Sequence, residues 1–104
     1  MLRRVVVDFA AELWRWAARR DDSWAFVSLP VEASEEIRAR TAGRRRGFGS
    51  VRVRVTVGDS TWLTSIFPES KSGAYVLPVK QAIRRAESLE VGDVASVTVE
   101  VLEL

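Results

Sequence analysis

The reactive side chains available to this chain are serine, lysine, arginine and carboxylates, because its 104 residues include no cysteine and no histidine. That removes disulfides, thiolate chemistry, the usual zinc sites and any histidine base. Ser65, Lys80 and Tyr75 are of the right types for a serine–lysine dyad, with the lysine as base. Their spacing is not diagnostic, and no strained nucleophile turn surrounds Ser65. Thr64 and Ser65 better suit the satisfaction of backbone groups where a strand ends near Pro68. Glu35 and Glu36 are adjacent and diverge on a helix, and Asp21 and Asp22 fall in a loop, so neither pair builds acid/base chemistry or a metal cluster. Enzyme chemistry at Ser65 and Lys80 is the weakest reading, and no cofactor or metal is expected.

The arginines are a stronger signal. Between Arg38 and Arg54 lie seven arginines (Arg38, Arg40, Arg44, Arg45, Arg46, Arg52 and Arg54) and no acid, although the whole chain carries a net charge of only +2. The remainder holds nine positive and fourteen negative residues. A basic loop beside a strand bearing Arg52 and Arg54 can track a phosphate backbone, with Trp62, Phe67 or Phe48 available for stacking. Lys80, Arg84 and Arg85 extend the candidate surface. The competing reading is solubility, with the arginines paired to the acids.

Four tryptophans (Trp14, Trp16, Trp24 and Trp62) are many for this length. They can line a ligand pocket, for which Trp62, Ser65 and Tyr75 are the candidates. Core mass is the plainer reading for Trp24 and Trp62. Trp14 and Trp16 flank Arg15 on one strand face.

The length sets one domain, 1–104, with a single core. Val5, Val7 and Phe9 alternate with Val6, Asp8 and Ala10, predicting a strand to Leu13 or Trp14; a helix from Phe9 to Arg19 competes with it. Trp24 to Leu29 reads as a second strand, stopped by Pro30. Ser34 is placed to cap a helix with Glu35 and Glu36 in its first turn, Ile37 as its buried contact and Gly43 at its end. Val51, Val53, Val55 and Val57 alternate with Arg52, Arg54 and Thr56 as a half-buried strand. Gly58-Asp59 then makes a two-residue hairpin turn that sets Val55 opposite Trp62 and Arg54 opposite Leu63. Pro68 ends the return strand, and Glu69 to Gly73 is a polar loop.

The stretch from Ala74 to Val99 reads as strand, proline step, short helix, Gly-Asp turn and strand. Val79, Ala82, Ile83 and Ala86 recur at helical spacing, with Lys80, Gln81, Arg84 and Arg85 on the wet side and Leu89 packing back. Helices are thus expected near Ser34 to Thr41 and near Val79 to Ser88. The segment Ala25-Phe26-Val27-Ser28-Leu29-Pro30-Val31 is echoed by Ala74-Tyr75-Val76-Leu77-Pro78-Val79. Two pseudo-symmetric halves sharing one core would explain the echo. The start, Leu2 to Val7, imitates a signal peptide until Asp8 and Glu12 break it, and no segment approaches membrane-spanning length. The expectation is a cytoplasmic protein, a monomer or weak dimer, without membrane contact.

Gly47-Phe48-Gly49, Thr61 to Pro68, Tyr75 to Lys80, Ile83 to Ala86 and Gly92-Asp93, taken together, resemble the bacterial domain of unknown function 1905 family over about Val5 to Glu103. The resemblance implies a mainly β fold: a double-split β-barrel, or pseudobarrel, of about six strands with two short capping helices. It implies no established activity. A more distant likeness, on Val76-Leu77-Pro78, Ile83-Arg84, Leu89 and Gly92-Asp93-Val94, is to the AbrB/MazE swapped-hairpin transcription factors. DNA binding is not carried across from that likeness, since fold does not imply function. The sequence therefore supports a small non-catalytic module that binds a small ligand or a protein, with weak nucleic-acid binding through Arg38 to Arg54 as the alternative.

Overall fold

A computed structural model describes residues 5–15, 24–42 and 49–102. In chain order its elements are β1 (Val6–Glu12), β2 (Trp14–Arg15), β3 (Ala25–Ser28), α1 (Val31–Arg40), β4 (Val51–Val57), β5 (Ser60–Pro68), β6 (Tyr75–Pro78), α2 (Gln81–Ala86) and β7 (Val94–Val101). The strands form one sheet in the order β1-β7-β4-β5-β6-β3-β2, every neighbouring pair antiparallel. β1 and β2 are two parts of a single stretch interrupted at Leu13, so the last strand in the order returns towards the first and the sheet is a nearly closed barrel. At the break, the Leu13 N–H donates to the Asp93 carbonyl and the Gly92 N–H donates to the Leu13 carbonyl, both at 2.8 Å. Buried Leu13 thus ties the bend to the turn before β7.

Alternation decides which side chains fill the barrel. Val51, Val53, Val55 and Val57 of β4 all point inward, against Trp62 and Ile66 of β5 and Val97, Val99 and Val101 of β7. The β4–β5 hairpin has the register that Gly58-Asp59 dictates: Val57 opposite Ser60, Val55 opposite Trp62, Val51 opposite Ile66. Gly58 takes a φ of +58°, and Asp59 does not follow it into the left-handed region, which is the pattern of a type II′ turn. β1 faces its Val7, Phe9 and Ala11 inward as expected, and the strand reading prevails over the helix.

The helices correct the sequence reading in detail. α1 begins at Val31, with Pro30 at its N-cap and Glu32 as the acid of its first turn. Ser34 is inside the helix and fully buried, and its hydroxyl accepts the Tyr75 N–H at 2.9 Å. Proline, with φ already at −57°, supplies the helix entry and frees the serine to cross-link α1 to β6. The helix ends at Thr41, whose hydroxyl and N–H both donate to the Ile37 carbonyl; Gly43 lies outside the described residues.

α2 is shorter than the expected Val79 to Ser88. Ser88, at φ +54°, closes it in a Schellman motif, with Leu89 N–H donating to Arg84 O at 2.8 Å and Ser88 N–H to Arg85 O at 3.3 Å. Ala82 and Ala86 are exposed, whereas Arg84 is buried and its Nε donates to the Val79 carbonyl at 3.0 Å. Arg84 therefore leaves the wet face assigned to it. A six-residue cap packs through one turn, and the long arginine stem can fold back where an alanine cannot reach.

The internal echo has a structural counterpart, displaced in register. β3 pairs with β6 and β4 pairs with β7, so equivalent strands of the two halves are neighbours. The hydrogen bonds Leu29 N–H to Tyr75 O and Val79 N–H to Ala25 O are mirror partners about the Val27–Leu77 pair. That symmetry equates Pro30 with Lys80, N-cap with N-cap, rather than with Pro78, which ends β6.

Candidate functional site

β3 is four residues long, and strict alternation divides its neighbourhood. Ala25, Val27 and Leu29 are buried on the barrel side. Trp24, Phe26 and Ser28 take the opposite face. Phe26 sits directly across from Trp14 on β2, with ring centroids 4.9 Å apart and planes 26° from parallel. Trp24 also stacks near Phe26, with ring centroids 6.3 Å apart and planes 19° from parallel. The Trp14 indole N–H donates to the Ser28 hydroxyl at 3.0 Å, fixing the ring beside β3.

On the other side of β3, β6 turns Val76 and Pro78 to the same outer face, and Val76 stands opposite Phe67 of β5. Trp14, Trp24, Phe26, Phe67 and Val76 enclose a groove of about 590 Å³, with Glu69 and Lys71 of the following loop at its margin. A second cleft of about 210 Å³ continues past Trp24, between Pro78, Leu63 and Trp62, and ends at Lys80. Trp24 is a wall of both. It is 45% exposed and Phe67 is 42% exposed. Two partly exposed aromatic rings thus border one concavity.

The residues chosen from sequence are distributed differently. Trp62 and Tyr75 are core side chains, and Tyr75 is completely enclosed, with the Arg38 guanidinium 5.5 Å above its ring. Ser65 lies on the opposite face of β5 from Trp62, so these three residues do not form one pocket. Ser65 and Lys80 share no hydrogen bond among the described residues; Lys80 instead borders the smaller cleft. Trp24, expected as core mass, is a groove wall, because it precedes β3 in phase with Phe26 and not with Val27. Trp16 lies outside the described residues.

Of the proposed cationic surface, Arg44, Arg45 and Arg46 are outside the described residues. Arg54 is engaged by Glu100 across β4 and β7 at 2.8 Å, and Arg52 is half-buried on the same strand with interactions of its own. Arg84 turns inward, while Arg85 borders a polar depression with Gln81, Ser88, Glu90 and Asp93 at the end of α2. Among the described residues, Arg52 and Arg54 share the outer face of β4, while Arg84 is buried. Among the described residues no group of three acidic side chains is placed to hold a metal ion, and no helix is long and apolar enough to cross a membrane.

The residues missed were Phe26, Val76 and Lys71; Phe67, named for stacking beside the arginine run, lines this groove instead. A signal existed for the first: Trp24, Phe26 and Ser28 share a parity opposite to Ala25, Val27 and Leu29, which marks one face of that strand as aromatic without burying it. That Phe67 and Val76 join it depends on β6 lying between β5 and β3, which no local pattern carries.

A family described as "Domain of unknown function (DUF1905)" matches residues 9–99 of the chain. No curated protein matches it.

Proposed function

The chain belongs to the DUF1905 family, whose description assigns no activity, and from that premise we propose that it is a non-catalytic binding module of the cytoplasm whose site is the aromatic groove. The observation that carries this reading is that two half-exposed rings, Trp24 and Phe67, line one groove of about 590 Å³. Leaving two large rings partly in water forgoes roughly 1 kcal/mol or more of burial for each, a cost a fold bears where the rings meet a partner. The composition supports the non-catalytic half of the reading. Histidine and cysteine are missing, and Ser65 and Lys80 share no hydrogen bond among the described residues.

The test is a titration with anilinonaphthalene sulfonate, an aromatic anion whose fluorescence rises in apolar sites, followed in parallel by amide shifts. The folded parent should bind it saturably, with shifts centred on Trp24, Phe67 and Val76. Trp24→Ala and Phe67→Ala should each weaken binding while leaving the far-ultraviolet circular dichroism unchanged, since both side chains lie outside the barrel. Unsaturable dye response, or saturable binding that both substitutions leave intact, overturns the assignment of the groove.

A further inference from the structure

What the groove offers specifies what it takes. Its floor is the side-chain face of paired strands β3 and β6, whose amides are already bonded within the sheet. The Ser28 hydroxyl accepts the Trp14 indole N–H. An extended peptide laid there would bring N–H groups to a surface with few acceptors, at a cost for each one desolvated. Flat ring systems stacking on Trp24 and Phe67 bring no such demand.

Charge supplies the second condition. Lys71 borders the larger cleft and Lys80 the smaller, with Trp24 shared between them. Neither lysine has an ion-pair partner among the described residues. Glu69, the acid at the margin, accepts the Ser72 hydroxyl at 2.6 Å and so is turned into its own loop. From Val76 to Lys80 the chain is extended and runs about 13 Å, at about 3.3 Å for each residue. The groove is therefore elongated, lined by aromatic rings and flanked by two ammonium groups without an ion-pair partner among the described residues.

Resting on the binding-module reading above, we propose that this groove binds single-stranded nucleic acid, with bases stacked on Trp24 and Phe67 and backbone phosphates beside Lys71 and Lys80. Stacking on exposed rings is tolerant of sequence because every base has a π-face, and two point charges select an anionic backbone without reading it. The site is distinct from the arginine run: its cations are Lys71 and Lys80, and Arg54 is committed to Glu100.

The experiment titrates the full chain into a fluorescently labelled short oligothymidylate and into a matched duplex, at several salt concentrations. The expected result is weak binding preferring the single strand, with log affinity falling against log salt at a slope near −1.4, about −0.7 for each of two phosphates. Trp24→Ala and Phe67→Ala should each weaken it roughly tenfold. Lys71→Ala with Lys80→Ala should flatten the slope, and Arg54→Ala should leave affinity as in the parent. Absence of binding at low salt overturns the proposal; if the dye still occupies the groove, the binding-module reading stands without it, and if the dye fails too, both fall. Oligonucleotide binding indifferent to Trp24→Ala and Phe67→Ala also overturns it, by moving the contact to another surface. So does a proline-rich peptide that displaces the dye where the oligonucleotide does not.

Discussion

Replacing Gly58 with alanine tests how the hairpin is latched to α2. Gly58 has φ +58°, so any L-residue there costs about 1–2 kcal/mol from the backbone alone. A Cβ built on it would overlap the Glu87 carboxylate, so that flexible side chain must move. Glu87 must then leave, and it is holding the turn: its Oε2 accepts the Ser60 hydroxyl at 2.6 Å, and its Oε1 accepts the Asp59 N–H at a longer 3.4 Å. Hydrogen bonds to a charged group contribute about 1.5–3 kcal/mol, and partial exposure with one long bond puts this pair near the lower end. Gly58→Ala should therefore cost about 2–4 kcal/mol in the parent. In a Glu87→Ala background the carboxylate is already gone, and only the φ term of about 1–2 kcal/mol remains. The assay is urea unfolding by circular dichroism on all four members of the double-mutant cycle. A coupling of about 1–2 kcal/mol is expected. Costs that add to within about 0.5 kcal/mol would refute the latch.

Two further outcomes follow from the barrel. Ser34→Ala strands the buried Tyr75 N–H and should cost about 1–3 kcal/mol, less a few tenths regained because alanine is the better helix former; hydrogen exchange at Tyr75 should accelerate, and an unchanged rate there would remove the α1–β6 cross-link. Val55→Asp places a charge at a position with no exposure, between Trp62 and Val99, and should abolish the cooperative thermal transition; a folded variant with parental stability would mean the β4 register is wrong.

The Val51 to Val57 strand was legible because period-two alternation and a two-residue turn are local properties. Once Gly58-Asp59 makes the turn, every cross-strand pair down to Val51 and Ile66 is set, since a slip by one residue would send all four valines into water. α1 was legible as a helix but not in its phase. Pro30 and Ser34 are both helix-entry signals, and the choice between them fell to Tyr75, forty-one residues on, whose N–H needed an acceptor. Arg84 was illegible for a related reason: a charged side chain on a short helix reads as solvated until a carbonyl such as that of Val79 is placed within its reach.

Composition and alternation by themselves determined a mainly β fold, the inward valines, the hairpin register, two short helices and the lack of cysteine and histidine chemistry. These follow from covalent periodicity, side-chain type and chain connectivity over a few residues. Tertiary structure alone decided the candidate site. Trp14, Trp24, Phe67, Lys71 and Lys80 are scattered over sixty-seven positions, and they converge because β6 inserts between β5 and β3 while β2 folds onto β3 beyond the break at Leu13. It also decided that Trp62 is core and Trp24 is surface, two tryptophans alike in composition and opposite in role. Strand neighbours are chosen by the global burial of one shared core, and no window of sequence contains that sum.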